Sequence, residues 1–146
     1  MKIALRTAAI LAGFALASAT AYAHDDATLD KTSAPHGGQL RMAGLYHYEL
    51  VVAKDAKGSA DSPLLVYVTD HSGQQKFATA GASGTATVLS GKQKTTLTLA
   101  PDGDNRMKGM GKYAADPAMK VIVSITLAGK QAEQARFTPL AATGSE

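Results

Sequence analysis

Imidazoles and thioethers are the side chains through which this sequence can do chemistry. His36, His47 and His71 fall in one stretch, with Met42 between the first two. Further on, Met107-Lys108-Gly109-Met110 sets two thioethers at M-x-x-M spacing around a pliant glycine. His24 precedes them all, followed by Asp25 and Asp26. The chain contains no cysteine, so thiolate metal sites and thiol nucleophiles are excluded. Neutral imidazole suits Zn²⁺, Cu²⁺ and Ni²⁺, and thioether sulfur suits Cu⁺. A copper or zinc site here has to come from His36, His47, His71, Met42, Met107, Met110 and His24. Each has a structural alternative: His36 can bond a turn, His47 can pair with Glu49 at the surface, His71 can tip a turn, and the methionines can fill a core.

Enzymatic motifs are missing. The sequence has no GxSxG elbow, HExxH, P-loop or GxGxxG. Asp70, His71 and Ser72 are adjacent, and adjacent residues cannot adopt triad geometry. No pair of carboxylates stands out for acid–base work. Asp102 and Asp104 have a calcium-like spacing but lack the twelve-residue loop and its distal Glu. The expectation is a binding protein, not an enzyme.

The elements that must position the histidines are strands. Tyr46, Tyr48, Leu50 and Val52 alternate with His47, Glu49 and Val51, so the first set reads as a core face and the second as the opposite face. Strands are expected over Gln39–Met42, Leu45–Ala53, Leu64–Thr69, Thr85–Leu89, Thr95–Leu99, Arg106–Tyr113, Met119–Ala128 and Gln131–Thr138. Gln74–Ala78 is expected to complete a hairpin across the Asp70-His71-Ser72-Gly73 turn. Gly37-Gly38 marks a turn or close backbone approach, and residues 54 to 63 read as a loop. Seven to nine short strands at this spacing predict an all-β, immunoglobulin-like β-sandwich over residues 35 to 138, with a small barrel as the alternative. Residues 24 to 34 read as a flexible leader and 139 to 146 as a frayed tail.

Lys2 and Arg6, the apolar run Ala8–Ala19 and the Ala21-Tyr22-Ala23 motif form a signal peptide over residues 1 to 23. The run is too short to span a bilayer comfortably, so no membrane span is expected in the mature form. The formal net charge of the full chain is +3. Two of its basic residues leave with the signal peptide, and the near-balanced remainder has no basic stripe, which disfavours nucleic acid.

In order and spacing, HGG at 36–38, YHYELVV at 46–52, VYVTDHSG at 66–73, ATAGASGTATVL at 78–89 and LTLAPDGDNRMKG at 97–109 resemble a short module of Gram-negative bacteria. That module occurs as a small secreted protein and as an extra domain in periplasmic adaptor subunits of RND-type heavy-metal efflux pumps. The resemblance implies a periplasmic metal-handling role beside such pump components. It places the module's HGG histidine on His36 and its D-H-x-G turn on Asp70, His71 and Gly73. As it stands the sequence carries no hairpin, lipoyl or membrane-proximal part of a full adaptor. Two roles remain open: a periplasmic buffer or carrier for copper or zinc, and a metal-free sandwich that binds a protein partner. The leader carries its own test. The intact mass of the exported protein is expected to begin at His24; a start at Met1, or recovery in the membrane fraction, would contradict it.

Overall fold

The computed structural model describes residues 25 to 142. The expected signal peptide with its cleavage site, His24 and the last four residues of the expected tail lie outside the described residues. Eight strands follow one short helix, α1 (Asp26–Asp30). They are β1 (Gln39–Ala43), β2 (Tyr46–Val52), β3 (Lys57–Thr69), β4 (Ser83–Ser90), β5 (Gln93–Pro101), β6 (Arg106–Ala114), β7 (Lys120–Thr126) and β8 (Ala132–Phe137). Every pairing is antiparallel, and the order is β1-β2-β3-β6-β5-β4-β7-β8. Between β5 and β6 only Ala100↔Lys108 and Pro101↔Met107 are in register, so the sheet bends there into two layers. The layers are therefore β1-β2-β3-β6 and β5-β4-β7-β8; counted from β2, they differ from the A-B-E-D and C-F-G sheets of an immunoglobulin constant domain in that β5, the fourth strand, lies beside β4 rather than in the layer of β6. β5 pairs along its length with β4, and β1 adds an outer strand. The outermost strands, β1 and β8, approach each other, and the Gln39 side chain accepts a hydrogen bond from Thr138 N–H at 2.9 Å. The sandwich is thus nearly a barrel.

Alternation built the core as expected. Tyr48, Leu50, Leu64, Val66 and Val68 from one layer meet Ala86, Leu97, Val121, Val123 and Ile125 from the other, all essentially inaccessible to water. Gly109 and Gly111 do not break β6. A Cβ at Gly111 would lie 2.8 Å from Leu97 Cγ, so the glycine makes room for the neighbouring strand's leucine.

Three local expectations need correction. Residues 57 to 63 are strand, not loop, because β3 runs on as a partner for β6 with an irregularity between Lys57 and Asp61. Its first half is exposed on both faces, which erases the period-two signal. Gln74–Ala78 forms no strand; one bridge, Thr69↔Lys76, is all that pairs there. The leader contains α1, capped by Asp25, whose carboxylate accepts from Thr28 N–H at 2.8 Å, and anchored by buried Leu29.

Two tyrosines differ in how their hydroxyls are satisfied. Tyr113 Oη accepts from Ala53 N–H at 2.8 Å and donates to the Pro63 carbonyl, standing in for a ladder bond where β2 has ended beside β3. The Tyr48 hydroxyl is fully buried and has no hydrogen-bond partner. Desolvation, then the Glu133 charge, push its pKa far up, so it stays neutral. Tyr113→Phe is therefore expected to destabilise the protein by about 1–3 kcal/mol, by leaving two backbone groups unpaired. Tyr48→Phe removes only an unsatisfied group and is expected to be neutral or slightly stabilising. Denaturant unfolding of both variants checks the contrast, and equal losses would contradict it.

Candidate metal site

Strand register assembles the site on the face of β1-β2-β3 turned away from the core. Met42, His47 and Thr69 lie opposite one another on adjacent strands, and Leu40, Glu49 and Tyr67 form the next such row. Residues two apart on a strand share a face, so the two rows are neighbours. This outer face is not open to water. α1 and the segment up to Gly38 lie over it, and His47 and Glu49 are only 6% and 3% exposed. Neither residue is at the surface, as the alternative reading of a surface His47–Glu49 pair requires, and both have partners from outside the strand.

Glu49 takes the overlying segment. Its Oε1 accepts from the backbone N–H groups of His36 at 2.7 Å and Gly38 at 3.1 Å. Its Oε2 accepts from His36 Nδ1 at 2.7 Å. The close approach demands glycine at position 38, where a Cβ would fall 2.3 Å from the Leu50 carbonyl oxygen. Gly37, with φ +71°, turns the chain into it. The His36 ring stacks on Tyr67, centroids 3.6 Å apart and planes 3° apart.

His47 turns the other way. Its Nε2 lies 3.1 Å from Met42 Sδ. The ring of His71, on the exposed Asp70–Gly73 turn, stacks near it with centroids 5.1 Å apart. The Asp70 carboxylate holds this turn by accepting from the Ser72 hydroxyl and from the Gln74 and Gln75 N–H groups. Those bonds, led by Ser72, keep its pKa below the usual carboxylate value.

His36, His47, His71 and Glu49 line one cleft of about 500 Å³, walled on one side by Leu29 and Pro35 and on the other by Lys76 and Asn105. The α1 wall is docked by Arg41, whose guanidinium donates to Asp30 at 2.8 Å and lies 3.4 Å from Asp26. Arg41 holds the Asp30 carboxyl below its ordinary pKa.

The seven sequence candidates separate. His36, His47 and His71 share the cleft, and Met42 abuts His47. Met107 and Met110 do not act together: in a strand their spacing sends them to opposite faces, Met107 into the core and Met110 half exposed to solvent. Position 24 lies outside the described residues. Among the described residues no three His, Asp or Glu side chains converge as a metal cluster. Met42 and His47 bring a thioether sulfur and an imidazole nitrogen together. Sequence reasoning missed Tyr67 and the hub role of Glu49; the only trace was Glu49 two residues after His47 on one strand face.

No family model, curated protein or solved structure matches this chain. The geometry is testable by itself. Gly38→Ala is expected to lift the segment from β2, abolish the slow amide exchange of His36 and Gly38, and cost about 1–3 kcal/mol as an overpacking change. Unchanged exchange at both amides would show that the contact is dispensable.

Proposed function

We propose that this protein binds copper in the outer-face cleft and acts as a periplasmic buffer or carrier for it, alongside a heavy-metal efflux system. The observation that carries the reading is the 3.1 Å approach of His47 Nε2 to Met42 Sδ, with the His71 ring beside them. Thioether sulfur with imidazole nitrogen is a donor set that favours Cu⁺, whereas zinc sites draw on thiolate, imidazole and carboxylate. His47 lines the cleft, and Met42 lies against it on the neighbouring strand, on the face turned away from the core. The leader sequence and the resemblance to efflux-adaptor modules support the compartment and the partners.

Parallel titrations with Cu⁺, Cu²⁺ and Zn²⁺ against competing chelators test the proposal. Cu⁺ is expected to bind more tightly than Zn²⁺. Met42→Leu and His47→Ala are each expected to weaken Cu⁺ by more than the roughly 10–100-fold typical of changes one shell further out, and Met107→Leu to leave it unchanged. Affinity falls as the pH drops, because a ligating imidazole must be neutral. If neither Met42→Leu nor His47→Ala alters binding, the copper reading fails and the partner-binding sandwich takes its place.

A further inference from the structure

The cleft contains a second nitrogen donor whose surroundings differ from those of Met42 and His47. His36 is fixed three times over: by its backbone N–H on Glu49, by its ring Nδ1 on the same carboxylate, and by the flat stack on Tyr67. A carboxylate only accepts, so a ring proton sits on Nδ1, and in the neutral ring the lone pair is then on Nε2, on the side away from Glu49. The His36 side chain is 41% exposed and lines the cleft. The backbone N–H groups of His36 and Gly38 already tether the segment to Glu49. The additional ring bond serves orientation: it selects a tautomer and aims a donor. Metal-binding histidines adopt this arrangement, with the remote N–H held by a carboxylate that raises the basicity of the ligating nitrogen.

We infer that the cleft has two copper stations of different character, an outer one at His36 Nε2 for Cu²⁺ and an inner one at Met42 and His47 for Cu⁺. The inference rests on the copper reading above and adds the oxidation state each station takes. Cu²⁺ is served by nitrogen donors and by water, both available at the half-exposed His36. Cu⁺ prefers the thioether, found here beside a buried imidazole. His36 is the ligand of the outer station, and Glu49 and Tyr67 are its positioning residues. Each station binds its own oxidation state, and no electron passes between them.

The experiment uses the purified protein carrying His24→Ala, which removes the imidazole nearest the expected mature amino end. Cu²⁺ is followed by paramagnetic broadening of the histidine ring resonances. Ag⁺, a redox-inert stand-in for Cu⁺, is followed at the Met42 methyl. The expected result is that Cu²⁺ broadens His36 first while Ag⁺ shifts Met42 and His47. Glu49→Gln should weaken Cu²⁺ by roughly tenfold, within the range for a lost outer-shell carboxylate, and His36→Ala by at least as much. Ag⁺ affinity should stay within about twofold in both variants, which a merely structural role for Glu49 would not allow, since collapse of the covering segment would disturb both ions. Broadening of His47 and His71 that spares His36, or equal losses for both ions, overturns the second station. If Met42 fails to respond to Ag⁺ at all, the copper reading itself falls; if Met42 responds and His36 does not, only the two-station inference falls.

Discussion

The buried carboxylate of Glu49 is the constraint on which the outer half of this protein depends. Placing a charge on a strand face that is then covered removes it from water, a cost of several kcal/mol that only good partners offset. Glu49 finds them in two backbone N–H groups and a ring nitrogen, all from one turn of chain. Hydrogen bonds to a charged group contribute about 1.5–3 kcal/mol each. The HGG turn and the strand are therefore mutually dependent: without the turn the carboxylate loses these three partners, and without the carboxylate the turn loses the bonds that they supply.

That coupling gives the sandwich a second, smaller interior. The main core lies between the two layers and is built from aliphatic and aromatic side chains. The second lies between the outer face of β1-β2-β3 and the covering segment, and it mixes Leu29 and Leu40 with His47 and Glu49. Arg41 links the two. It stems from the core side of β1, beside Tyr48 in register, yet its guanidinium reaches the acidic residues of α1. A five-residue helix has little stability of its own, so this ion pair and the burial of Leu29 are what keep the cleft wall in place.

Mixed polar and apolar lining is what a binding cleft requires. The apolar wall excludes water from one side, which strengthens interactions at the donors, while the turn bearing His71 stays exposed on the other. Donor chemistry then sorts by depth. Met42 is half-buried and His47 buried, while the carboxylate-backed His36 is more exposed. Soft and borderline ions distinguish such donors by type more than by charge.

Local pattern was enough to read the strands and the all-β class. Tyr46, Tyr48, Leu50 and Val52 announce a core face whatever surrounds them, because a strand sends alternate side chains to opposite sides. The Asp70–Gly73 turn was legible for the same reason: its residue types satisfy local backbone demands. The three clustered histidines were visible as types, but not as an arrangement. Whether His47 pairs with Glu49 or with Met42 depends on register between strands and on a segment folding back over the sheet, and neither leaves a period in the sequence. The M-x-x-M spacing promised a pair, and the strand that carries it sends the two thioethers to opposite faces. Residues 57 to 63 looked like loop because their strand is exposed on both sides there, and only its partner β6 makes it a strand. Composition and alternation determined what kinds of donor this protein has and which face each could occupy; tertiary structure alone decided that the outer face would be covered, because that depends on one carboxylate meeting a distant turn.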